Sequence, residues 1–163
     1  MKVGIIMGSD SDLKIMQQAE AVLHELGVET EMDVMSAHRT PERVLDYARG
    51  AYQRGVAVII AGAGGAAHLA GFVAAVSAMP VIAVPIKSPN SIDGWDSILS
   101  MLQMPSGVPV ATVALDGARN AGILAAQILS VADPQLHQRL VDFKEAMKEK
   151  VYAASARVRE QAK

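Results

Sequence analysis

Val3-Gly-Ile-Ile-Met7, then Gly8-Ser-Asp-Ser-Asp12, then the long run Leu13–Leu26: this stretch decides the architecture. Its first run is apolar or glycine without a break, as a strand must be when both of its faces are covered. The run after the loop places Ile15, Ala19, Val22, Leu23 and Leu26 on one helical face, and Gly27 stops it. Strand, short polar loop and amphipathic helix together form one unit of a parallel sheet, because the helix carries the chain back to begin the next strand in the same direction.

The unit repeats along the chain. Val28, Thr30, Met32 and Val34 alternate with Glu29, Glu31 and Asp33, which predicts a half-exposed strand near a sheet edge. Thr40-Pro41 reads as a helix start, with a side-chain oxygen at the N-cap and proline in the first turn. Val44, Leu45, Ala48 and Ala51 supply that helix with a buried face, and Gly55 ends it. Val56–Ala61 is a third strand, followed by a glycine-rich loop and a helix to about Met79. Val81–Val84 is a fourth strand between Pro80 and Pro85. The polar loop Lys87–Gly94 leads to a short helix, Trp95–Met104, which Pro105 breaks. Val108–Leu115 is the fifth strand and Asn120–Val131 the next helix. Asp133-Pro134 then opens a long helix with Leu136, Leu140, Phe143, Met147, Val151 and Ala154 at spacings of three and four, a stripe that needs something to cover it.

Right-handed crossovers join such units into a three-layer, doubly wound parallel α/β sheet, flavodoxin-like or Rossmann-like, with a long C-terminal helix. The 163 residues fit a single catalytic domain, 1–163, within which 133–163 is the helix expected to pack on a neighbouring subunit. Hydrophobic residues reach 51% but aromatics only 4%, so Ala, Val, Ile, Leu and Met must pack helices tightly onto the sheet. A net charge of −2 with no basic run argues against nucleic acid and against a polybasic membrane patch. No apolar stretch of membrane-spanning length runs uninterrupted, and Val3–Met7 is too short for a signal peptide. The absence of cysteine excludes disulfides and thiolate metal sites. A soluble, cytoplasmic protein is expected.

Ligands of an open parallel sheet bind outside the carboxyl ends of its strands. That rule selects three loops. In Gly8–Asp12, Ser9 and Ser11 offer hydroxyls beside the free N–H groups of the next helix, suited to a phosphate, and Asp12 could accept two sugar hydroxyls. The competing reading is that Ser11 or Asp12 merely caps the helix. In Ser36–Thr40, the imidazole of His38 could take or give a proton near neutral pH. Arg39 beside it could grip a phosphate or carboxylate. The competing reading there is a backbone-bonded histidine and a surface ion pair. Gly62–Gly71 holds Gly64, His68 and Leu69 and only weakly matches a dinucleotide fingerprint, since no acidic residue ends the following strand. His24 and His137 read as surface side chains on helices. No metal-binding motif or nucleophile elbow is present.

Met7-Gly-Ser-Asp-Ser-Asp12, Ser36-Ala-His-Arg-Thr-Pro41, Ile60-Ala-Gly-Ala-Gly-Gly-Ala-Ala-His-Leu69 and Gln103-Met-Pro-Ser-Gly-Val-Pro-Val-Ala-Thr112 together resemble the N5-carboxyaminoimidazole ribonucleotide mutases. These are the class I branch of the phosphoribosylaminoimidazole carboxylase catalytic subunits. Asn120-Ala-Gly-Ile-Leu-Ala-Ala-Gln-Ile-Leu129 fits as well, so the resemblance covers nearly the whole chain. It implies a step of purine synthesis in which a carboxylate migrates from the exocyclic nitrogen to C4 of an aminoimidazole ribonucleotide. His38 would be the general acid/base. Ser9, Asp12 and Arg39 would bind substrate, with Ser11 and Ser36 nearby, and the loop through Gly64, His68 and Leu69 would close on the ring. No metal or organic cofactor is implied, because the ring is itself the carbon nucleophile, and the assembly implied is a homo-octamer. Leu13, Ala70 and Phe72 depart from the residues most members carry, at packing or loop-stiffness positions. Arg39 and Gly64-Gly65 argue against the class II branch, which uses free carbon dioxide. Three other readings stay open: a direct carboxylase, a ribonucleotide-binding module without chemistry, and a nicotinamide enzyme.

Overall fold

A computed structural model describes residues 1–161. Five parallel strands form one sheet in the order β2-β1-β3-β4-β5. The strands are β1 (Lys2–Met7), β2 (Glu29–Val34), β3 (Val56–Gly64), β4 (Val81–Ile86) and β5 (Ala111–Thr112). The helices are α1 (Leu13–Glu25), α2 (Pro41–Gly50), α3 (Leu69–Ala74), α4 (Trp95–Leu102), α5 (Ala118–Ser130) and α6 (Pro134–Gln161). Short 3₁₀ turns at Asp10–Asp12 and Tyr52–Arg54 complete the chain.

Alternation along the strands divides the core in two. Val3, Ile5, Met7, Val58, Ile60, Ile82 and Val84 face α1, α5 and the first turns of α6. Ile6, Ile59, Ala61 and Ala83 face α2, α3 and α4 on the other side. Helices therefore cover both faces, as the unbroken apolar strands require. Helices α1 and α5 approach closely because position 122 is glycine: a Cβ there would stand 2.5 Å from Val22 Cγ1 and 2.8 Å from the Ala19 carbonyl. Strand β2 lies at the sheet edge, as its alternating pattern predicts, and two of its three carboxylates are paired. Glu31 meets Lys2 at 2.6 Å and Arg54 at 3.2 Å, and Asp33 meets Arg43 at 2.7 Å. Charged side chains of this kind protect an open edge from pairing with another chain.

Several boundaries differ from the sequence expectation. Strand β3 runs three residues past Ala61 to Gly64, which carries the chain straight into the glycine turn. Helix α3 stops at Ala74 rather than near Met79, where the Ser77 hydroxyl accepts the Met79 N–H and competes with the helical pattern. Strand β4 continues through Pro85 to Ile86. The Pro85 carbonyl accepts from Asp116 N–H on the β5 side, where β5 has already ended, so the proline's missing donor breaks no ladder bond to β3. Strand β5 shrinks to Ala111–Thr112, since Pro109 cannot donate and Asp116 turns away with φ +56°. Helix α6 opens as read: the Asp133 carboxylate accepts from Gln135 and Leu136 N–H, each at 3.0 Å.

Candidate active site

The sheet reverses its winding between β1 and β3, whose loops leave toward opposite faces. A crevice opens at such a point in a doubly wound sheet. Here it is a cleft of about 470 Å³ lined by all three loops singled out from sequence, and by a fourth. From the first come Gly8, Ser9, Ser11 and Asp12; from the second Ser36, Ala37, His38 and Arg39; from the third Ala63, Gly64, Ala66, His68 and Leu69. Every site residue expected from sequence is thus gathered there.

Local bonding shows how each wall is held. The Ser9 hydroxyl accepts the Ser11 N–H at 3.3 Å, capping the 3₁₀ turn, while Asp12 makes no capping bond to α1. Asp12 is 4% exposed, with the Ser11 hydroxyl 3.4 Å from its carboxylate. Burial pushes its carboxyl above the ordinary aspartate range, against the opposing pull of the Ser11 hydroxyl and the Ser9 backbone. Thr40 begins α2 but does not cap it. Its hydroxyl turns back to accept the Ser36 N–H at 3.0 Å and to donate to the Ser36 carbonyl at 3.2 Å, bracing the loop that holds His38.

Arg39 ties the first two walls together, its guanidinium donating to the Gly8 carbonyl at 3.1 Å. The Ser36 hydroxyl accepts the Arg39 backbone N–H at 3.2 Å and its Nε–H at 3.5 Å, which accounts for Ser36 as a support for this residue. His38 does not bond to backbone. Its Nε2 lies 2.8 Å from Nδ1 of His68, with the rings edge to face and centroids 4.9 Å apart. One nitrogen of that contact must donate and the other accept, so the two imidazoles hold a single hydrogen between them. Gly65, at φ +60°, makes the turn that brings His68 across to β2's loop. His24 does have a partner: its Nε2 lies 2.9 Å from the Thr30 hydroxyl at the far end of the sheet. His137 is exposed on α6.

The fourth wall is Ser88, Pro89 and Asn90, from the loop after β4. The rule that points to the carboxyl ends of strands applies equally to this loop, and its polar run Lys87–Gly94 was the available signal. Among the described residues no three His, Asp or Glu side chains converge as metal ligands would. Convergent hydroxyls, an arginine and a carboxylate suit a phosphorylated sugar, and the histidine pair suits proton transfer on whatever that sugar carries.

The model of the AIR carboxylase family matches residues 2–150. The chain belongs to that family. Among its relatives, the N5-carboxyaminoimidazole ribonucleotide mutase of Thermotoga maritima is 53% identical over 96% of this chain and 91% of its own length. The mutase of Pyrococcus abyssi is 58% identical over 90% of this chain and 84% of its own. The phosphoribosylaminoimidazole carboxylase of Schizosaccharomyces pombe is 56% identical, but this chain spans only 26% of that longer protein. The crystal structure of Treponema denticola PurE superposes with a TM-score of 0.83 at 30% identity, covering 95% of this chain and 96% of that one. Family and architecture therefore agree with the resemblance read from the motifs.

Proposed function

We propose that this chain is an isomerase of purine synthesis that converts N5-carboxyaminoimidazole ribonucleotide to its 4-carboxy isomer in this cleft. The observation that carries the reading is the meeting of His38 and His68 beside Arg39, Ser9 and Asp12, in a chain more than half identical to mutases of that name.

Arg39 and Ser9 hold the phosphate and Asp12 the ribose hydroxyls, with Ser11 and Ser36 steadying those groups and Gly64, His68 and Leu69 shaping the ring pocket. The N–C bond to the carboxyl group breaks, carbon dioxide leaves, and the electron pair stays on the exocyclic nitrogen, which takes a proton from His38. The ring's C4 then attacks the trapped carbon dioxide and a C–C bond forms. His38, now neutral, removes the C4 proton and the ring regains its aromaticity. Protons given and taken cancel, as an isomerisation requires, and neither a metal nor an organic cofactor takes part.

We assign the enzyme to the cytoplasm on the family resemblance, and to a homo-oligomer, an octamer by the same resemblance. Exposed apolar side chains on two helices support assembly: Ile92, Trp95, Leu99 and Leu102 around α4, and Met147, Val151, Tyr152 and Val158 along α6. Among the described residues no helix is long and apolar enough to cross a membrane. Turnover of the N5-carboxylated substrate, followed by absorbance of the C-carboxylated product, tests the reading. Labelled carbon dioxide in the medium discriminates the alternative: a direct carboxylase incorporates it stoichiometrically, a mutase does not.

A further inference from the structure

The β4 wall of the cleft carries a side chain placed to recognise the group that migrates. Following the sheet order β2-β1-β3-β4, the cleft presents Arg39, then Ser9 and Asp12, then Gly64 and His68, then Ser88 and Asn90. A ribonucleotide with its phosphate at Arg39 and its ribose at Asp12 runs its base toward β3 and the base's substituent toward β4. Lys87, the cation of the loop after β4, is turned onto Asp93 and does not line the cleft. Ser88 and Asn90 are the polar side chains that remain on this wall.

Their arrangement is specific. The Ser88 hydroxyl donates to Asn90 Oδ1 at 2.7 Å, which fixes the amide and leaves Nδ2 without an acceptor among the described residues. Both side chains lie against the glycine turn. A Cβ on Gly64 would stand 2.5 Å from Ser88 Oγ, and one on Gly65 would stand 3.1 Å from Asn90 Nδ2. The paired glycines therefore serve this wall as well as the turn: a side chain at position 64 would displace Ser88, and one at position 65 would crowd the asparagine.

We infer that Asn90 is a substrate-binding residue whose Nδ2–H donates to the carboxylate of the carboxyaminoimidazole, with Ser88 holding the amide in that orientation. The assignment rests on the mutase reading and adds to it the means by which the cleft reads the migrating group. A neutral donor suits a group that must depart. A cation fixed on the carboxylate would stabilise the ground state, whose charge passes to the exocyclic nitrogen as the carbon dioxide leaves, and would oppose the reaction.

Calorimetric titration with the C-carboxylated ribonucleotide and with the decarboxylated aminoimidazole ribonucleotide separates the possibilities. Asn90→Asp keeps the Ser88 bond but sets a carboxylate against the ligand's. Affinity for the carboxylated ligand should fall by roughly tenfold to a hundredfold, the usual consequence of losing a hydrogen bond to a charged group, while affinity for the decarboxylated ligand and the melting temperature stay unchanged. Asn90→Ala, which removes the donor without adding charge, should show the same split more weakly, with KM rising more than kcat falls. Equal weakening toward both ligands, or undiminished affinity for the carboxylated one in both variants, overturns the assignment. A wild-type protein that binds neither ribonucleotide overturns the mutase reading itself, and Asn90's role with it.

Discussion

A single hydrogen lies between His38 and His68, so the cleft presents one imidazole nitrogen as donor and its neighbour as acceptor. If His38 is the proton carrier, His38→Asn should preserve fold and ribonucleotide affinity and lower turnover by roughly 10²–10⁴-fold, the range a positioned acid or base contributes. Near-normal turnover in that variant would transfer the role to His68. Arg39→Ala should raise KM at least about tenfold, since a charge-assisted contact to phosphate is worth ~1.5–3 kcal/mol. An unchanged KM would take Arg39 out of the site. Asp12 yields a prediction about stability. Burial raises its carboxyl in the folded chain. Such a group favours the fold while it stays protonated, at acidic pH below its ordinary value, and that contribution is lost as pH rises through the raised folded value. At neutral pH the Asp12 charge therefore destabilises the fold, and Asp12→Asn should raise the melting temperature while weakening ribonucleotide binding. The gain should vanish when the melt is repeated below the ordinary aspartate range. A variant less stable at neutral pH would show that the hydrogen bonds to the carboxylate outweigh its burial.

Between elements, the α1–α5 contact is the tightest test of packing, because α5 meets α1 through Gly122. Gly122→Ala should destabilise the chain by about 1–3 kcal/mol, as overpacking a close-fitted core does, despite the better helix propensity of alanine. A chemical denaturation midpoint at or above wild type would mean the helices separate freely. This contact and the strand order were not legible in advance, whereas the doubly wound sheet, its edge and the cleft's position were. Apolar strands and amphipathic helices gave the doubly wound sheet, and Glu29-Thr-Glu-Met-Asp-Val34 gave its edge, because the period of a buried face is written directly in residue type. Boundaries around prolines were not. Pro85 reads as a stop until β5 is seen to end before reaching it, a fact about a neighbouring strand rather than about local sequence. Thr40 looked like a cap, yet its hydroxyl serves the Ser36 backbone, since both bonds lay within reach and only tertiary geometry chose. Asn90 belonged to a loop whose polarity was visible but whose proximity to Gly65 depends on how β3 and β4 align.

At the scale of the whole molecule, α6 is the element the chain cannot accommodate alone. Leu136 and Leu140 are buried in the core, and Phe143 is half-buried with the Arg119 guanidinium 5.6 Å from its ring centre. Beyond it the same stripe continues through Met147, Val151 and Val158, all of them exposed among the described residues. Removing everything from Asp133 would therefore damage core and assembly together, whereas a chain ending at Ala146 keeps Leu136, Leu140 and Phe143 and loses only the uncovered part. Each large apolar side chain fully buried contributes about 1.5–3 kcal/mol, so losing several should shift the assembly equilibrium by orders of magnitude. Sedimentation of the shortened chain at micromolar concentration should give a smaller species than the full-length protein. Its melting temperature should also lose the dependence on protein concentration that assembly imparts by mass action. A full-length protein that sediments as a stable monomer would defeat the assembly reading. An unchanged assembly in the shortened chain would instead move the interface to the α4 face, where Trp95, Leu99 and Leu102 stand exposed beside the loop that carries Asn90.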